Sequence, residues 1–342
     1  MMIPEAELQA TIRDLVQPGR GIVAADESGP TIAKRFKAIA VESTEDNRRA
    51  YRELLLTTPG IGQFIGGAIL FEETLAQKTA DGTPMAAAAQ RQGVVPGIKV
   101  DKGTAPLANA AGDLVTQGLD GLAERLKGYK AQGARFAKWR EVYPITERNP
   151  TRLGIEVNAE TLARYAAACQ QEGVVPIVEP EVLLDGDHTV GRCAEVTEAV
   201  LHAVFHALQR HGVALELMLL KPSMVLAGKD NAHKSTAAEV ARDTLAVLRR
   251  TVPAAVPSIN FLSGGQTPQQ ATANLDAMNR LLPHPPWNLS FSYARALQEP
   301  VMEAWRGKAG NVPEAQRMFL RRARLNSAAA RGQYTADLES AT

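Results

Sequence analysis

LELMLLKPSMV, residues 215–225, runs six mostly apolar positions straight into an ammonium group, Lys221, and then into Pro222. The apolar run has the length and composition of a strand covered on both faces. Proline ends such a run because it has no N–H to give a ladder. Lysine is seldom fully buried without a partner. Either Lys221 snorkels from the strand end into water, or its amine is held in a pocket and used.

The same pattern recurs along the chain. GIVAAD (21–26), FIGGAILF (64–71), VVPGIKVD (94–101), ARFAKWR (134–140), VVPIVEPEV (174–182), VPSINFLSG (256–264) and WNLSFSY (287–293) are brief apolar runs closed by a polar residue, Gly or Pro. With LELMLLK (215–221) they make eight predicted strands. Helical signals fall between them. Asn158 reads as the N-cap of ETLARYAAACQQEG, which stops at Gly173. Thr236 and Glu239 have capping-box spacing, and Thr267, Pro268 and Gln270 give a cap, a first-turn proline and a box partner. Eightfold strand–helix alternation predicts a parallel (β/α)8 barrel of the TIM type. A doubly wound sheet is disfavoured because GIVAADESG lacks GxGxxG spacing. We expect one domain over residues 1–342, with about 335–342 a short flexible tail, since TADLESAT is polar and acidic.

Composition narrows the function. The 342 residues carry 38 basic and 37 acidic side chains, net +1, so no global field draws the protein to nucleic acid or an anionic membrane. The N-terminus has no apolar signal region and no apolar run reaches membrane-spanning length, so a cytoplasmic protein is expected. Cys169 and Cys193 lack metal or disulfide-framework spacing, and we expect no metal and no cofactor. His202 and His206 stand four apart without an HExxH glutamate and read as surface or interface residues. DGDH (185–188) reads as a turn, and RMFLRRARLNSAAAR (317–331) as a solvated basic helix.

The predicted strand ends gather titratable groups: Asp26, Lys99 and Asp101, Lys138 and Arg140, Glu179 and Glu181, and Lys221, then SGG (263–265) and SYAR (292–295). Residues two apart share a strand face, so Lys138 lies with Arg140 and Glu179 with Glu181. In a barrel this end is the active mouth. Crowded lysines should depress a lysine pKa, and a neutral amine attacks a carbonyl to form a Schiff base, with carboxylates moving the protons. SGG after the seventh strand offers backbone N–H groups to phosphate.

AADES, GIKVDKG, FAKWR, PIVEPE, LLKPSM, FLSGGQ and FSYARALQ, in this order, resemble class I fructose-1,6-bisphosphate aldolases of the animal and plant type, from about residue 8 to Tyr334. The resemblance implies a homotetrameric lyase without metal or other cofactor. Its reaction is reversible cleavage of fructose 1,6-bisphosphate to dihydroxyacetone phosphate and glyceraldehyde 3-phosphate, in glycolysis and gluconeogenesis. By motif, Lys221 corresponds to the Schiff-base lysine and Glu179 to the acid/base of carbinolamine dehydration. Glu181 is its supporting carboxylate, Asp26 the base at the C4 hydroxyl, and Lys138 the charge-stabilising cation. Lys99 and Arg140 fall nearby. Ser263, Gly264, Gly265, Ser292, Ala294 and Arg295 correspond to one phosphate pocket, and Ser28, Thr31 and Arg35 to the other. Alternatives are a preference for sedoheptulose 1,7-bisphosphate or fructose 1-phosphate, or a non-catalytic binding or scaffold role. The family has glycine where this chain has Ala294 and Pro30, which bears on the geometry of both loops.

Overall fold

The computed structural model describes residues 3–340. Ten strands form in chain order: β1 (Gly21–Ala25), β2 (Ile65–Leu70), β3 (Val95–Lys99), β4 (Thr104–Pro106), β5 (Leu114–Thr116), β6 (Phe136–Tyr143), β7 (Val175–Val182), β8 (Leu219–Leu220), β9 (Ser258–Phe261) and β10 (Asn288–Tyr293). All except β4 and β5 close a parallel barrel in the order β1-β10-β9-β8-β7-β6-β3-β2. β4 and β5 pair antiparallel as a small hairpin in the long connection after β3. All eight expected barrel strands are present, and the fold is a TIM barrel.

Burial follows the strand alternation. Inside the barrel, Ile22, Ala24, Ile69, Val95, Phe136, Val175, Ile177 and Leu219 fill the lower layers, and Leu8 and Leu15 of the helix Glu5–Leu15 plug the floor. The Phe136 ring occupies room left by two glycines: a Cβ on Gly97 would stand 2.3 Å from it, and one on Gly67 3.1 Å. A larger apolar shell packs the outward strand faces against the helices, with Trp139, Tyr165, Phe261 and Tyr293 fully buried in it. The bottom is thus apolar and dry, and polar side chains are left to the top.

Several local expectations change. The segment 215–221 does not start as a strand: Leu215–Leu217 wind as a 3-10 turn and only Leu219–Leu220 pair in the barrel. Beyond β8 the chain is pinned rather than paired. The Lys221 N–H donates to Val178 O (2.8 Å), the Ser223 hydroxyl to Val182 O (2.9 Å), and Leu262 N–H to Pro222 O (3.1 Å). Asn158 is no cap. The helix runs Arg152–Gln171 with Thr151 capping it, and buried Asn158 instead donates to Leu114 O at 3.0 Å. Gly173 does stop that helix, at φ 72°. Both capping boxes, Thr236–Glu239 and Thr267–Gln270, are present.

The basic helix Val312–Ala329 is not solvated all round: Phe319, Ala323 and Leu325 are buried, and so is Arg322. The end of the chain does not trail free through its described part. Ala336–Glu339 form a 3-10 turn, and Glu339 accepts from Arg322 Nη1 at 2.6 Å and from the Tyr334 hydroxyl at 3.1 Å. Arg322, 3 % exposed, needs that carboxylate because an unpaired buried cation is costly; residues 341 and 342 lie outside the described residues.

Candidate active site

The C-terminal ends of the barrel strands enclose a cavity of about 580 Å³. Every site residue expected from the sequence lines it except Gly265, which borders an adjoining recess with Arg140, Glu181, Gly264 and Arg295. At its base lie two buried lysines and two buried carboxylates. Lys221 Nζ is 3.1 Å from Glu179 Oε1, and Lys138 Nζ is 3.2 Å from Glu179 Oε2 and 2.7 Å from Asp26 Oδ2. Barrel register produces this: Lys138 and Glu179 come from neighbouring strands β6 and β7, and Asp26 comes from the far side of the ring at the end of β1. Lys221 is 3 % exposed, so it does not snorkel.

Two further pairs ring the cluster. Lys99 Nζ meets Asp101 Oδ1 at 2.5 Å and Asp101 O at 3.0 Å. Arg140 forms an ion pair with Glu181. Four cations thus face four carboxylates, and this inner cluster is formally neutral as a unit. Burial pushes the Asp26 carboxyl up, but Lys138, Lys221 and Lys99 together overcome it and hold the group well below the usual carboxylate range. Burial likewise works against the Lys138 ammonium, while Asp26, Glu179 and Asp101 overcome it and raise the group well above its ordinary value. The expected depression of a lysine pKa by like charges is therefore reversed at Lys138, because the carboxylates around it outweigh burial.

The phosphate-side loops are shaped by small residues. A Cβ on Gly264 would meet Glu181 Oε1 at 3.1 Å and Leu262 Cδ1 at 3.2 Å, and Gly265 adopts φ 74°. Ala294 sits at φ −100° as the residue before the helix Arg295–Trp305, so alanine carries no left-handed strain there. The start of that helix presents unsatisfied N–H groups and the positive end of its dipole. Ser292 Oγ is buried at the cavity without a hydrogen-bond partner. Ser28 precedes the helix Gly29–Ala38, its hydroxyl 3.1 Å from Thr31 Oγ1. Pro30 falls in the first turn of that helix, where its missing N–H would have had no intrahelical partner.

Sequence reasoning missed Glu27, which lines the cavity edge beside Asp26 and pairs with Arg35 and Arg52. Nothing in the local sequence announces its partners. It also passed over Glu141, buried on the outward face of β6, the strand that carries Lys138. Burial pushes that carboxyl up to about 7 despite donation from Trp139 Nε1 and the Thr116 N–H. Asp101 was visible as a strand-end acid without an assigned role. His202 and His206 are exposed on the helix Val190–Arg210 as expected, and Cys169 and Cys193 are free buried thiols.

A closed (β/α)8 barrel with a buried lysine amine set against a carboxylate at its C-terminal mouth defines an enzyme equipped for amine chemistry on a carbonyl. Residues 7–342 match the family model of class-I fructose-bisphosphate aldolase. The chain is 54 % identical over 333 residues to the cytosolic fructose-bisphosphate aldolase 4 of Arabidopsis thaliana, covering 97 % of this chain and 85 % of that one. It is 55 % identical over 334 residues to the fructose-bisphosphate aldolase of Dictyostelium discoideum, covering 97 % and 93 %. Among solved structures, the Plasmodium falciparum fructose-bisphosphate aldolase, in complex with TRAP and a small molecule inhibitor, superposes with a TM-score of 0.95. That pair shares 52 % identity over 97 % of this chain and 96 % of the other. The chain belongs to the class I fructose-bisphosphate aldolase family. Among the described residues no helix is long and apolar enough to cross a membrane.

Proposed function

We propose that the protein cleaves fructose 1,6-bisphosphate reversibly to dihydroxyacetone phosphate and glyceraldehyde 3-phosphate through an imine on Lys221. The observation that carries this is the buried Lys221 Nζ at 3.1 Å from Glu179 Oε1 inside the polar mouth. Glu179 is placed to take the proton that Lys221 must lose before it attacks the ketose carbonyl. It then returns a proton to the carbinolamine oxygen as water leaves. Glu181, held by Arg140, supports that exchange.

Cleavage asks Asp26 to remove the C4 hydroxyl proton. The free site keeps Asp26 ionised, as a base requires, but surrounding cations make it a weak one. The reaction corrects this as it proceeds. Electrons from the breaking C3–C4 bond flow into the iminium and cancel its charge, so one of the cations holding Asp26 ionised disappears as the proton arrives. Lys138, 2.7 Å from Asp26, stays behind to stabilise the oxygen that develops charge. Ser263, Gly264, Ser292, Ala294 and Arg295, with Gly265 shaping the loop, would hold one phosphate through N–H, hydroxyl and guanidinium donors. Ser28, Thr31, Arg35 and Lys99 would hold the other.

Supporting a cytoplasmic setting are the cytosolic relatives in plants; a homotetramer is proposed from the family resemblance alone. Borohydride added with dihydroxyacetone phosphate should inactivate the enzyme and add the reduced triose mass to the peptide that carries Lys221. Labelling of another lysine, or of none, overturns the assignment. Parallel assays with sedoheptulose 1,7-bisphosphate and fructose 1-phosphate should give lower kcat/KM than fructose 1,6-bisphosphate.

A further inference from the structure

Glu27 follows the proposed base in the chain yet does not join the amine cluster. It is 6 % exposed, and its carboxylate gathers side chains from three helices. Arg35, from Gly29–Ala38, forms an ion pair with Oε1. Arg52, from Glu45–Leu56 and 2 % exposed, brings Nη1 to 2.5 Å from Oε2. Gln298, one turn into Arg295–Trp305, donates from Nε2 to Oε1 at 2.9 Å and to Ala24 O at 2.6 Å. The Tyr51 hydroxyl fixes that amide by donating to its oxygen at 3.1 Å. One carboxylate therefore ties the helix that carries Ser28, Thr31 and Arg35 to the helix that begins at Arg295.

We infer that Glu27 is a positioning residue that sets selectivity for sugars phosphorylated at both ends. It holds the Arg35 guanidinium by one edge, leaving further N–H donors of that planar fork for an oxyanion. It also fixes the two helix starts at one separation, so that two anions joined by a carbon chain of one length meet both. Arg52, with Glu27 as its ion-pair partner, supplies the second positive charge that holds the carboxylate in place. The inference rests on the placement of one phosphate at Ser28, Thr31 and Arg35.

The test compares KM for fructose 1,6-bisphosphate and fructose 1-phosphate in Glu27→Gln, Arg35→Ala and the double variant. Glutamine keeps an acceptor for Gln298 but discards the charge shared by the two arginines. Glu27→Gln should raise KM for the bisphosphate on the order of tenfold, the scale of one charged hydrogen bond, and move KM for the monophosphate less than about twofold. Because glutamine leaves the Gln298 tie between the helices in place, the effect of Glu27→Gln runs through Arg35 and should vanish in the Arg35→Ala background. If Arg35→Ala leaves the bisphosphate KM unchanged, the phosphate placement itself falls and takes the inference with it. If Arg35→Ala raises it, three results overturn the inference alone: equal losses on both sugars, a KM that falls in Glu27→Gln, or additive effects in the double variant. Should Glu27→Gln fail to fold, Glu27→Asp keeps a countercharge for Arg52 but withdraws it from Arg35 by one methylene. An unchanged bisphosphate KM in folded Glu27→Asp would also overturn the inference.

Discussion

Replacing Lys138 by methionine removes one of the four cations that balance four carboxylates and leaves a surplus negative charge above the apolar floor of the barrel. The Coulomb attraction between Lys138 and Asp26 at 2.7 Å amounts to about 6 kcal/mol at an effective dielectric of about 20, before desolvation is subtracted. Removing one partner of a buried pair costs about 3–5 kcal/mol in practice, so Lys138→Met should lose about that much stability at neutral pH. The variant can recover part of it by binding one proton. Asp26 keeps the fields of Lys221 and Lys99 but loses its ion-pair partner, so burial pushes its carboxyl up into the accessible pH range. The native variant then binds more protons than its unfolded chain, so its stability rises as pH falls. In the wild type Asp26 is held far below this range, so it contributes no such slope. Burial pushes Glu141 up to about 7, and since it lies on the face of β6 opposite residue 138, its contribution should cancel in the difference. Urea unfolding followed from about pH 8 down to about pH 5 should therefore show the stability gap narrowing by up to about 1.4 kcal/mol per pH unit while the carboxyl titrates. A gap that stays constant across that interval would refute the charge-balance reasoning.

Ala294→Gly should leave KM for fructose 1,6-bisphosphate within about twofold, because φ is already negative at −100°, and should cost roughly 0.5–1 kcal/mol of stability. A large gain in affinity would show that the alanine strains the loop. Deleting residues 335–342 should change kcat less than about twofold but lower stability by about 1–3 kcal/mol in urea unfolding, since Arg322 loses Glu339. A tenfold loss of kcat would place the tail in the chemistry. Prolonged chelation with EDTA should leave turnover intact because the iminium serves as the electron sink. Loss restored by zinc would overturn the imine route.

The barrel was legible because parallel strands covered on both faces are continuous apolar runs, and each one stops where the polar mouth begins. Those stops located Asp26, Lys138, Glu179 and Lys221 before any geometry was known, since a strand end in this fold is also a position in the cavity. The starts were harder to read. Leu217 belongs to the barrel floor and looks like strand, but it sits in a 3-10 turn. Asn158 has the chemistry of a cap, whereas Thr151 takes that position, its hydroxyl bonded to Asp113 Oδ2 at 2.5 Å. Asp113 lies beside a hairpin whose three-residue strands are too short to show a period. Glu27 was invisible for a different reason: its partners Arg35 and Arg52 lie on separate helices, and Gln298, 271 positions away, is brought to it only by closure of the ring.

The short β8 has a kinetic meaning. Lys221 and Pro222 are fastened through the backbone to Val178 and Leu262, and Ser223 to Val182 through its hydroxyl, so the backbone that carries the proposed nucleophile is held on both sides. Travel of the nitrogen between Glu179 and a substrate carbon must come from the four side-chain torsions of Lys221, each moving among staggered wells. Glu179 rides on β7, which is paired on both sides. On the proposed mechanism, proton donor and proton acceptor therefore share one frame, and each cycle can return the amine to the same starting point without any rearrangement of the sheet.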